Sequence, residues 1–223
     1  MPDTTPTRPG RRSVAARPFL HLCPMFLESP VTLILLVINV LIGVYTMTSD
    51  PSLLDRWSFK PYQFLRGEYW RALTAGFVHV GLAHLAFNMI TLYFFGPWIE
   101  GLLGPAKFLA IYFGSEIAAN MLTLAKHKDN PAYSAVGASG AISGVLFSFC
   151  LFQPFAMLGV MFIIPMPAIL FAVLYVVGSI YASQQGGGRI AHEAHLGGAL
   201  GGVLLTLLVY PDALSIFLHQ LGL

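Results

Sequence analysis

Charge is what this sequence has least of. Of its 223 residues 10% are Asp, Glu, Lys or Arg and 56% are hydrophobic, where a soluble domain carries roughly 25% charged residues. So few charges cannot cover a water-facing surface, and the chain reads as a membrane protein before any segment is inspected. Cysteine is almost missing. Cys23 and Cys150 stand far apart, with no second pair and no metal-like spacing, which excludes a disulfide framework. The formal net charge of +2 is too small to argue for a nucleic-acid partner. Two sharp motifs are absent as well. "HEAH" sets His192 and His195 three apart, not the four of a zinc-binding H-E-x-x-H helix. "GASGA" is not the G-x-S-x-G elbow, and no alternation of strands and helices supports an α/β-hydrolase.

What is present is apolar and segmented. A spanning helix needs roughly 20 mostly apolar residues, and six stretches qualify: about 29–49, 73–95, 105–125, 138–154, 158–182 and 193–210. The fifth contains Pro165 and Pro167, so it is expected to begin irregularly and to become helical after them. Gly186, Gly187 and Gly188 make a flexible loop before the sixth, and the last eleven residues are too short to cross again. The expected architecture is all-α, a polytopic membrane bundle of six transmembrane helices over residues 28–223. Residues 1–27 differ in kind. They carry prolines, Arg8, Arg11, Arg12 and Arg17, and Asp3 is the only acid before Glu28. A disordered basic tail near the membrane is expected there. It has no apolar run closed by a small-residue cleavage site, so it does not read as a signal peptide, although Arg-rich, acid-poor composition is shared with mitochondrial presequences.

The tail and the connection Asp50–Arg71 each hold four Lys or Arg. Because the first helix usually dominates orientation, the N-terminus is placed in the cytoplasm, and six spans return the C-terminus to the same side. Spans two, four and six then run in one direction, so their N-terminal ends lie near one membrane face. The polar residues of interest belong to these spans. Span two holds His79, His84 and Asn88, span four opens with Ser139, and span six opens with His192, Glu193 and His195. Ionisable residues inside a membrane are costly and are candidates for function. A serine, a histidine and side-chain donors are the parts of a serine hydrolase: nucleophile, base and oxyanion hole. Ser139 begins a helix, where unpaired N–H groups and the positive end of the macrodipole favour an oxyanion. The bland reading of the same stretch is packing, since Gly140 and Gly144, and likewise Gly198 and Gly202, are spaced as small-residue contact faces. His79 reads as structural.

The motifs together resemble the rhomboid family of intramembrane serine proteases, from Pro30 to Gly202. "YWRAL" is similar to the family's Trp-Arg element, here Trp70 and Arg71. "HLAFN" fits its H-x-x-x-N with His84 and Asn88, and "GPWIEGLLG" its G-x-x-x-E-x-x-x-G with Gly96, Glu100 and Gly104. "GASG" fits the nucleophile motif and "AHLGGALGG" the last-span motif. The resemblance implies that Ser139 is the nucleophile and His195 the general base of a dyad without aspartate. His84 and Asn88 would join the backbone N–H of Ser139 in the oxyanion hole. It further implies an endopeptidase that cleaves single-span or polytopic membrane proteins near the extracytoplasmic face, in the inner cell membrane, with lipid around it and neither metal nor other cofactor.

One turn after the nucleophile many rhomboids place an aromatic ring on the histidine; here stands Ser143. It either keeps the contact between spans four and six small or hydrogen-bonds the imidazole. Water entry is expected through the start of span six, the Pro165/Pro167 break and the Asp50–Arg71 loop. Two rivals are an inactive rhomboid-like chaperone or binding protein, which would lack Ser139 or His195, and a small transporter. Glu116 is the main mid-membrane charge that a transporter would use.

Overall fold

The structure is a computed structural model that describes residues 28–160, 163–185 and 191–223. The expected basic tail 1–27 and the glycine loop 186–188 lie outside the described residues. Helix α1 (Pro30–Thr48) starts with proline at a first-turn position, where no N–H is needed. The connection that follows is folded into α2 (Ser52–Trp57), α3 (Pro61–Phe64), α4 (Arg71–Thr74) and a 3-10 turn (Ala75–Phe77). Then come α5 (Leu82–Leu103), α6 (Pro105–His127) and α7 (Ser139–Phe152). A hairpin of β1 (Met157–Val160) and β2 (Ile164–Pro167) leads to α8 (Ala168–Gln185), α9 (His192–Val209) and α10 (Asp212–Gln220).

The protein is mostly helical, and α1, α5, α6 and α9 are long and apolar enough to cross a membrane; α7 and α8 are apolar but shorter. The expected all-α fold needs one correction. Pro165 and Pro167 do not merely interrupt a span; they sit in a two-stranded antiparallel hairpin, because residues that cannot donate to a helix are tolerated on one side of a strand pair. A second difference lies before α5. The expected start near residue 73 is replaced by α4 and the 3-10 turn, and the long helix begins only at Leu82, after Gly81.

Helices α6, α7 and α9 form the centre, with α5 and α1 layered on one side. Leu85 and Leu92 of α5, Phe108 and Ile111 of α6, and Val145 and Phe149 of α7 fill the buried core. Outward faces stay apolar: Leu33, Leu41, Leu174, Val177, Leu204 and Leu208 are all exposed, as lipid-facing residues should be. At the α5–α6 junction Gly104 adopts φ +84°, and Pro105 starts the next helix.

Buried polar groups tie the layers together. Glu100 of α5 accepts the N–H of Val31 at 3.0 Å, and the N–H and hydroxyl of Thr32 at 2.7 Å each, which caps the first turn of α1. Gly96, one turn earlier, leaves room for Thr32. Arg71 does the same for the connection: its Nη1 donates to the carbonyls of Asp55 (3.0 Å) and Ser58 (2.8 Å), and its Nε pairs with Glu68. The Trp-Arg element is thus divided, since Arg71 is buried and Trp70 is exposed.

Glu100→Leu strands these donors in a buried site, and a loss of about 2–4 kcal/mol is expected. Glu100→Gln, which keeps an acceptor oxygen, should lose clearly less. Thermal unfolding in detergent checks this; a leucine variant as stable as the parent would show that the cap carries no stability.

Candidate active site

Three helix starts converge. Ser139 is the first residue of α7, and the chain enters that helix through Gly137 at φ +105°. Glycine is needed there twice. The left-handed φ disfavours side chains, and a Cβ would run into the imidazole of His84. The N–H of Gly137 donates to the carbonyl of Ala75 at 2.9 Å, which ties the turn to the 3-10 segment.

His195 lies in the first turn of α9, and its Nε2 is 2.9 Å from Ser139 Oγ. That distance depends on a helix contact with no side chains in it. A Cβ on Gly198 would overlap the carbonyl of Gly140, and one on Gly202 would overlap the backbone of Gly144. The two readings of these glycines are therefore one fact: close packing of α7 and α9 is what lets serine and histidine meet.

His84 and Asn88 occupy one face of the first turns of α5. Asn88 Nδ2 and His84 Nδ1 are buried and have no hydrogen-bond partner among the described residues. The buried ring of His79 packs edge-on against His84, with centroids 5.1 Å apart. Ser139, His195, His84 and Asn88 all line one cavity of about 1390 Å³.

The fate of Ser143 was not legible. Its hydroxyl donates to the carbonyl of Ser139 at 2.7 Å, one turn back, and not to the imidazole. With that proton committed, the Tyr175 hydroxyl of α8, 2.6 Å away, is the donor to Ser143 Oγ. The Tyr175 ring lies nearly parallel to His195, at 26° and with centroids 6.1 Å apart. The aromatic ring beside the histidine comes from another helix, and Ser143 holds its far end. Only the hydroxyl of Ser143 hinted at this in the sequence, and nothing there pointed to Tyr175.

Two carboxylates support the helix starts. Glu116 of α6 accepts the N–H of Ala141 at 3.1 Å in the first turn of α7 and the Nδ2 of Asn120 at 3.2 Å. The carboxyl that a transporter would use is thus engaged in capping. Glu193 of α9 is held by His127 Nε2 at 3.0 Å, by Lys126 Nζ at 3.3 Å and by the Tyr133 hydroxyl. Tyr133 stacks on His127 at 3.6 Å, and burial together with the Glu193 carboxylate raises the Tyr133 phenol well above its ordinary pKa. Two residues before His195, this cluster fixes where α9 begins. The sequence showed Glu193 but not its partners.

The fold is that of a polytopic helical membrane protein, and residues 66–212 match the Rhomboid domain. The chain belongs to the rhomboid family. It is 27% identical over 175 residues to RHOMBOID-like protein 12, mitochondrial, of Arabidopsis thaliana, a match covering 70% of this chain and 52% of that protein. Rhomboid protein 1, mitochondrial, of Saccharomyces cerevisiae is 28% identical over 200 residues, covering 83% of this chain and 56% of the yeast protein. Rhomboid protease GluP of Bacillus subtilis is 42% identical over 81 residues, covering 36% of this chain and 15% of that protein. The chain spans about half the length of the first two relatives and less of the third.

If the Tyr175 ring steadies His195, Tyr175→Ala should slow fluorophosphonate modification of Ser139 by about tenfold, near 1.4 kcal/mol. Tyr175→Phe and Ser143→Ala keep the ring and should stay within about fivefold of the parent. Parent-like reactivity in Tyr175→Ala would remove the ring from the site.

Proposed function

We propose that this protein is an intramembrane serine endopeptidase that cleaves transmembrane-helix substrates near the extracytoplasmic face. The observation that carries the reading is the 2.9 Å approach of His195 Nε2 to Ser139 Oγ inside a cavity. In the proposed step neutral His195 takes the Ser139 proton as Oγ attacks the scissile carbonyl. The negative charge then developing on the carbonyl oxygen is received by the Ser139 N–H at the start of α7, by Asn88 Nδ2 and by His84. The buried, unpartnered Asn88 Nδ2 supports that role, because a donor held out of water without an acceptor has been left available for one. The imidazolium returns its proton to the leaving amine, and water hydrolyses the acyl-enzyme. Glu193 is bound to Tyr133, His127 and Lys126, so the reading is a dyad and not a triad.

We further propose that residues 28–223 form one six-span unit, with α7 and α8 as the short spans. At 14 residues α7 rises about 21 Å, less than the roughly 30 Å of hydrocarbon. A helix that ends at the inner boundary therefore starts below the outer one, which would sink Ser139 beneath the surface. The protein is placed in the inner cell membrane with both termini cytoplasmic, and its partners are membrane-protein substrates and the lipid around them.

Co-expression with tagged single-span substrates tests the activity. Ser139→Ala and His195→Ala should each abolish cleavage while leaving a folded protein, because the pair acts as one unit. His84→Ala and Asn88→Ala should each cost about 10²-fold or less, since backbone donors share the oxyanion. Near-native cleavage by either dyad variant would defeat the assignment, and an unchanged His84/Asn88 double variant would remove those two from the mechanism.

Topology has its own test. A cysteine replacing exposed Asp55 should react with an impermeant thiol reagent from outside, and one replacing Asp212 should not. The reverse pattern would invert the orientation.

A further inference from the structure

Lys126, near the C-terminal end of α6, holds two other helices at once. Its Nζ lies 3.3 Å from Glu193 Oε2 in the first turn of α9, and it also donates to the carbonyl of Ser183 in the last turn of α8. Two bonds from one nitrogen put their acceptors no more than about 6 Å apart. Past its first turn, and among the described residues, α8 is hydrogen-bonded to another helix at one further place, where the Tyr175 hydroxyl meets Ser143.

Left to themselves, the two acceptors would not sit so close. The last carbonyls of a helix lack intrahelical partners and carry its negative pole, and Glu193 brings a carboxylate to the same spot. These groups repel each other unless a cation stands between them. With the Lys126 ammonium there, each gains a charge-assisted bond. Glu193 itself does not depend on this lysine. Its Oε1 meets the Tyr133 hydroxyl and His127 Nε2, so the start of α9 keeps its anchor when Lys126 is lost. The end of α8 has no second hydrogen bond of that kind among the described residues.

The helix ends so joined flank the chemistry. Tyr175 lies about two turns before Ser183 on α8, and His195 lies two residues after Glu193 on α9. Between them the rings of Tyr175 and His195 lie 26° from parallel, with centroids 6.1 Å apart. The tyrosine is therefore held at its hydroxyl by Ser143 and through its helix by Lys126. A partly exposed ion pair is worth little to stability by itself, so the weight of this lysine lies in what it aligns. We propose that Lys126 is a positioning residue for the base: by clasping the C-terminal end of α8 to the start of α9, it keeps the Tyr175 ring beside His195. The proposal rests on the protease reading of the site.

Lys126→Met removes the ammonium and keeps an apolar stem, and with 39% of the Lys126 side chain exposed it opens no buried hole. It should slow fluorophosphonate modification of Ser139 by about fivefold or more, toward the loss expected of Tyr175→Ala. Lys126→Arg, whose fork also reaches two acceptors, should stay within about twofold of the parent. Adding Lys126→Met to Tyr175→Ala should change the rate by less than about twofold, because the lysine acts through the ring. Losses that multiply, or a parent-like rate in Lys126→Met, would overturn the proposal. Should that variant fail to fold, Lys126→Gln, equally uncharged, is read in the same way. Spin labels on cysteines replacing exposed Tyr181 of α8 and Leu204 of α9, with Cys23→Ser and Cys150→Ala, read the clasp without the reaction. Lys126→Met should broaden the distance between the labels, and an unchanged distribution would sink the clasp. A parent whose Ser139 takes no fluorophosphonate would instead count against the protease reading, and the spin-label distance would still decide the clasp.

Discussion

The contact between the backbones of α7 and α9 is the constraint on which the site depends. Lipid tails are as apolar as leucine, so helices in a membrane gain little from hydrophobicity and associate through close packing and interhelical hydrogen bonds. Here Gly198 lies on Gly140 and Gly202 on Gly144, with no room for a methyl group at either crossing. Farther along, Ser148 Oγ and Thr206 Oγ1 lie 2.6 Å apart and join the same two helices. The Ser139–His195 distance is set by this seam more than by either residue's own neighbourhood. Widening the seam by about 1 Å would carry a 2.9 Å approach out of hydrogen-bond range.

Around the seam, buried ionisable groups serve as fasteners. Glu100 caps α1, Glu116 caps α7, Glu193 anchors the start of α9, and Arg71 gathers the connection between α1 and α5. A carboxylate at a helix N-terminus meets free N–H groups and the positive end of the helix dipole, which offsets much of the cost of burying it. Two of these caps sit on the helices that carry Ser139 and His195. His84 and Asn88 face the cavity instead. His84 Nδ1 and Asn88 Nδ2 have no hydrogen-bond partner among the described residues.

Much of this was legible in the sequence, for physical reasons that can be named. Apolar length marked the long helices, so α1, α6 and α9 begin and end within a few residues of expectation. Chemically distinctive residues at helix starts marked Ser139, His84, Asn88 and His195, and the structure brings all four to one cavity. What escaped the reading is tertiary. The start of α5 was misplaced because an apolar run does not reveal that Ala75–Phe77 tightens into a 3-10 turn. Pro165 and Pro167 announced a break but not the strand pairing that fills it. Tyr175 was invisible because a tyrosine in an apolar helix looks like any other, and only the fold sets it beside a histidine twenty residues away.

That ring's address has a consequence. Tyr175 belongs to α8, a wall of the cavity whose outer face is bare, with Leu170, Val173, Leu174 and Val177 all exposed. A ring carried on the same helix as Ser139 would move with it rigidly. A ring carried on a separate wall cannot. Any outward tilt of α8 that widens the cavity draws Tyr175 away from His195 and Ser143 in the same motion. The width of the cavity and the placing of the ring beside His195 are thus tied to one helix.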